Sequence, residues 1–220
     1  MNFQFFFLYQ LPKTFIVKKV IIFFLLICLS ESIQAQDHLK QIDSLQKALG
    51  ATEAEYEKFE IRFELFNHTR RSNPDSALPY AQQNLLAARK MKSDSLLAIA
   101  YTQFKILSNI TGNYPQALQY AFESLHAAER TKNFLRIADA YNGLGDVYID
   151  QGDFKRGVFY SNKAMSILYE HVPFTFSLNK NSDTGFVYVN ELIDLARAYE
   201  QSNQLDSALK YVSENCFFIC

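Results

Sequence analysis

Tryptophan is missing from the 220 residues, and cysteine (3), proline (5) and glycine (7) are scarce. Without tryptophan, the gaps between packed elements must be filled by the 13 tyrosines and 20 phenylalanines. Three cysteines exclude a disulfide framework: Cys28 lies in an apolar run, and Cys216 and Cys220 sit in the tail, where pairing in an oxidising compartment would be incidental. The net charge of -1 gives no electrostatic reason to bind nucleic acid. No stretch rich in proline, glycine or serine marks a linker, so no second domain is expected. Catalytic signatures are missing as well: there is no glycine-rich phosphate loop, no HExxH, no GxSxG and no CxxC. His38, His68, His126 and His171 fall on four separate segments without ligand spacing, and Glu53 with Glu55 reads as a wet helix face. The expectation is a protein that is not an enzyme and uses neither cofactor nor metal.

What is present begins with a leader. Lys18 and Lys19 precede the apolar run Val20 to Leu29, and Ala35 follows shortly after. Basic region, short apolar region and small residue describe a secretory signal over residues 1–35, cleaved to start at Gln36 or Asp37. The run is shorter than the roughly 20 apolar residues of a membrane span. Retention as an anchor, and a true start near Val17, are the alternatives. Ile27 before Cys28 argues against lipidation. The expected location is periplasmic or secreted, with membrane contact only if the leader is retained or the full protein continues.

The most informative stretch runs from Ala138 to Ala164. Tyr141, Leu144, Gly145 and Tyr148 recur at three- and four-residue steps and share one face of a helix. Gln151-Gly152-Asp153 interrupts it, with glycine suited to a left-handed cap and aspartate to an N-cap. Phe154, Gly157, Tyr160 and Ala164 resume the apolar face on a second helix. Gly145, Gly157 and Ala164 let the two backbones approach. Such a hairpin cannot bury its face alone, and it has neighbours. Forty residues back stand Tyr101, Gly112, Tyr114 and Ala117, and forty more reach Ala77. Forward, Leu195, Ala196, Tyr199, Leu205 and Ala208 match at a spacing of fifty-one, stretched by an insertion from His171 to Tyr188. Pro74 and Pro115 mark helix starts. Ahead of the repeats, Leu39, Ile42, Leu45 and Leu49 lie on one face of a helix that Gly50 is expected to end.

An aromatic residue, then Leu-Gly, then Tyr, then Gly-x-aromatic and Ala resembles the tetratricopeptide repeat family. The pattern is similar to its exported bacterial type, as in the N-terminal sensor regions of repeat-containing histidine kinases and regulators. Two departures stand out: Lys105 occupies the small-residue position of Gly145, and the spacing exceeds the usual thirty-four or so. The resemblance implies an all-α solenoid of antiparallel helix hairpins with repeats of about forty residues. A capping helix would occupy 36–54 and the repeat domain 55–220, with repeats near 57–92, 96–131, 134–170 and 187–220, the last incomplete. The apolar ending Phe217-Phe218-Ile219 marks the helix from Leu205 as unfinished and the least protected element.

The resemblance also implies a concave groove lined by the first helix of each repeat. Its positions transfer to Thr102, Gln103, Ile106, Asn109 and Ile110, then to Asp139, Asn142, Asp146, Ile149 and Asp150. In repeat four they fall on Asn190, Ile193, Asp194, Arg197, Glu200 and Gln201. The candidate ligand-binding residues are Gln103, Asn109, Asn142, Asp146, Asp150, Asp194 and Arg197, in a groove with solvent-facing acids toward its C-terminal half. The Lys/Arg set of a carboxylate clamp is not among them. The implied function is an exported module that binds a protein or peptide partner and no nucleic acid. The alternatives are a truncated extracytoplasmic sensor region of a histidine kinase or transcriptional regulator, and a structural envelope adaptor using the convex face. Asp-Ser-apolar triplets at Asp43, Asp75, Asp94 and Asp206 resemble O-glycosylation acceptors but read first as helix starts.

Overall fold

Among the described residues, helices form where the periodicity asks for them. The computed structural model describes residues 36, 38–171, 197, 199 and 200. The leader, the insertion, the C-terminal helix, and the fourth repeat apart from Arg197, Tyr199 and Glu200 lie outside the described residues. So do Asp194, Asn190, Ile193 and Gln201 of the groove set. Among the described residues the architecture is all-α, with no strand. Helix α1 covers 38–51 and belongs to a unit ending at Thr52. It runs on through Gly50, and the Thr52 amide still donates to the Ala48 carbonyl at 3.1 Å, so glycine does not end it.

The second unit begins at Glu53 and contains α2 (Glu55–Thr69), α3 (Pro74–Lys90), α4 (Asp94–Ile110), α5 (Tyr114–Thr131), α6 (Phe134–Asp150) and α7 (Phe154–His171). Five of these starts are fixed by a side-chain oxygen accepting an amide of the first turn. The pairs are Asn73 with Ser76, Ser93 with Leu96, Asn113 with Gln116, Asn133 with Arg136, and Asp153 with Arg156. Asp75 and Asp94 stand in the first turn, past the cap, where a negative charge meets the helix dipole. Both prolines sit in a first turn as expected. Gly152 leaves α6 at φ 86°, a conformation only glycine takes without strain.

Each helix packs against the next, giving three antiparallel hairpins in a row, and α4 also touches α6 directly. First helices thus form one layer and second helices the other. Within the α6–α7 hairpin a Cβ on Gly145 would lie 2.5 Å from Ser161 Oγ and 3.2 Å from the Gly157 carbonyl. That contact is possible only without a side chain. Alanines at 98, 121, 127, 128, 138, 140 and 164 fill the core around α4 to α7. The wider gaps take tyrosine: Tyr160 stacks on Tyr148 at 5.4 Å and on Tyr141 at 6.4 Å.

Candidate functional site

The layer of first helices carries a chain of charged side chains. Lys105 projects from α4 and is 6% exposed. Its stem lies over Gly143 of α6, where a Cβ would be 3.4 Å from Lys105 Cε. The ammonium then reaches Asp146 Oδ2 at 3.6 Å. Arg197 donates to the other Asp146 oxygen and stands 3.9 Å from Asp150 Oδ1. Asn109 Nδ2 donates to Asp150 Oδ2 at 2.6 Å. Four candidates, Asn109, Asp146, Asp150 and Arg197, therefore meet in one network across repeats. Asn142 is half-buried and lies one turn before Asp146.

Two positions are corrected. Gln103 is 1% exposed and does not line the groove: its Oε1 accepts from Asn84 Nδ2 of α3 at 3.2 Å, inside the packing of α2, α3 and α4. Ile149 is 1% exposed and turns toward α7, its Cγ1 only 2.6 Å from where a Cβ on Gly157 would be. A fixed list of groove positions does not encode which neighbour each side chain packs against, so some of its side chains turn into the interior. The acids are also not bare. Asp146 and Asp150 are already met by Lys105, Arg197 and Asn109.

Electrostatics separates the acids further. Burial alone would raise the Asp146 carboxyl, but Lys105 and Arg197 outweigh it and hold it below the ordinary carboxylate range. Asp139, two turns earlier, behaves oppositely. Water still reaches it, yet the surrounding protein crowds it and raises its carboxyl, against a smaller pull from Lys105 and Arg136. It makes no hydrogen bond or ion pair among the described residues. At the other end, Arg70 closes α2, and the charge of Asp146 on α6 reaches it. Desolvation, and then Arg71, lower its pKa, and its Nε is buried with no acceptor among the described residues.

Sequence reasoning missed Lys105 as a member of the network and Arg70 as a cation that the charge of Asp146 reaches. Lys105 did leave a signal, since a lysine at a small-residue position must reach out toward a charge. Arg70 left none, because a basic residue at a helix end is ordinary. Among the described residues no group of His, Cys, Asp or Glu is placed to hold a metal, and no helix is long and apolar enough to cross a membrane.

The family model of the SusR N-terminal TPR domain matches residues 30–168. Two solved structures share the fold. One is a Rap protein complexed with Competence and Sporulation Factor, with a TM-score of 0.68 and 18% identity over 86% of this chain and 51% of that one. The other is BtubC (BKLC) from P. vanneervenii, with a TM-score of 0.59 and 16% identity over 84% of this chain and 74% of that one. This chain spans about half the length of the Rap protein. No curated protein matches it in sequence.

Proposed function

Since the chain belongs to the SusR N-terminal TPR domain family, we propose that it is a non-catalytic binding module whose α4–α6 layer receives a peptide or protein segment. The observation that carries this reading is the network joining Lys105, Asn109, Asp146, Asp150 and Arg197. Placing so many charged and amide groups on one face costs desolvation, and a purely structural layer needs none of them. A Rap protein of the same fold has been captured in complex with Competence and Sporulation Factor, which supports a recognition role for such repeats. We carry export as part of the reading, with residues 1–35 removed as a leader. A second reading is the input region of a longer sensor or regulator. The family's own description as an N-terminal domain favours it.

Photo-crosslinking tests the groove against the outer surface. A photoreactive residue replacing Ile110, exposed at the end of α4, should trap a specific partner in the source cells, and one replacing Gln119 on α5 should not. Adducts from Gln119 alone would move the interface to the second helices and support an adaptor instead.

A further inference from the structure

Four of the eleven aspartates are followed by serine and then an apolar residue, at Asp43, Asp75, Asp94 and Asp206. Three of these triplets lie among the described residues, and none of their aspartates caps a helix. Asp43 stands in the middle of α1. Asp75 and Asp94 follow the caps Asn73 and Ser93, whose own side chains accept the first-turn amides. Capping therefore does not account for the triplets. In Asp75-Ser76-Ala77 the helix dipole still explains an acid in the first turn, and packing beside Phe66 and Leu107 explains the fully buried Ala77. Ser76 is explained by neither: it is exposed, and its hydroxyl has no partner among the described residues.

The three contexts differ in what a modifying enzyme can reach. At the start of α3, Asp75 and Ser76 are both exposed, and Asp75 forms no ion pair among the described residues. The amides up to Ser76 have no intrahelical carbonyl one turn back, so unwinding this turn onto an enzyme gives up the Asn73 cap and little more. Ser95 is half-buried, and Arg130 holds the neighbouring Asp94 at 2.7 Å. At Ser44 the helix continues on both sides, and Lys47 holds Asp43 at 2.8 Å. Resting on the export part of the reading above, we propose that Ser76 is an O-glycosylation acceptor, recognised through Asp75 by a transferase of the exported compartment. The Ser76 oxygen attacks the anomeric carbon of an activated sugar phosphate and forms the glycosidic bond. The bond from that carbon to the phosphate oxygen breaks, the phosphate leaves with the electron pair, and the hydroxyl proton passes to a base of the transferase. A sugar at this exposed turn displaces no buried contact.

Trypsin separates the three triplets into peptides 41–47, 72–89 and 93–105. Mass spectrometry of the protein recovered from the source cells, with electron-transfer fragmentation, should find a sugar on Ser76 in 72–89 and leave the other two peptides bare. Ser76→Ala and Asp75→Asn should each remove it and Ser76→Thr should keep it, with circular dichroism melts confirming each fold. A sugar on Ser44 or Ser95 with Ser76 bare would overturn the choice of acceptor. Its survival in Asp75→Asn would overturn recognition through the aspartate. A bare 72–89 in protein beginning at Gln36 or Asp37 would overturn the site and leave export standing. The same bare peptide in protein that retains the leader would overturn both.

Discussion

Gly145 and Asp146 are adjacent in the chain and meet different neighbours, one packed into the hairpin and one turned to Lys105 and Arg197. Gly145→Ala brings a methyl group against Ser161 Oγ and the Gly157 carbonyl. The loss should be about 1–3 kcal/mol, and more for leucine, read from urea denaturation. No loss would mean that the hairpin is packed in another register. Asp146 gives a pH signature. Its native pKa is depressed, so the stability it contributes is full above the unfolded carboxylate value of about 4 and is lost as pH falls through the native value. Asp146→Asn should therefore cost about 2 kcal/mol near neutrality and converge with the parent in acid. That is less than a fully buried pair, because the Asp146 side chain is 26% exposed. Asp139 has the reverse sign. With its pKa raised, ionisation opposes folding at neutral pH, so Asp139→Asn should match or exceed the parent there and lose any advantage in acid. Denaturation curves at both pH values check the pair, and parallel behaviour of the two variants would refute the distinction between them.

The turns between elements explain why the repeat is so regular. Lys92 and Lys132, forty residues apart, both take positive φ, at 50° and 55°, each followed by the cap of the next helix. A side chain in the left-handed region costs about 1–2 kcal/mol, of which glycine's greater freedom in the unfolded chain cancels up to about 1. Lys132→Gly should thus gain up to about 1 kcal/mol, whereas Asn133→Ala, one residue on, should lose about 1 kcal/mol with its cap. Opposite shifts in thermal melting from neighbouring residues would be hard to obtain from any other turn geometry. Element positions were legible because caps and glycines punctuate an aromatic and small-residue rhythm. Which helix face a polar residue takes was less so. Gln103 carries the same polar signal as Asn109, but only Asn84, nineteen positions away on another helix, decides that it turns inward.

For the repeat unit as a whole, the hairpin from Ala138 to Ala164 predicts its neighbours, since its apolar face needs covering and the forty-residue echo supplies the cover. The site was legible only in part. Asn109, Asp146, Asp150 and Arg197 are found by transferring the family's groove positions, yet their mutual pairing depends on distances between repeats that periodicity does not encode. Lys105 and Arg70 matter for the same reason: what counts is the carboxylate each one faces, or does not face, on a neighbouring helix. The account rests on that layer being the binding surface, and methyl-resolved NMR addresses it directly. With a partner peptide titrated in, the Ile110 methyl at the groove end should shift strongly. Leu86 on α3, 65% exposed on the second-helix layer, should stay still. Shifts at Leu86 with Ile110 unmoved would contradict the account.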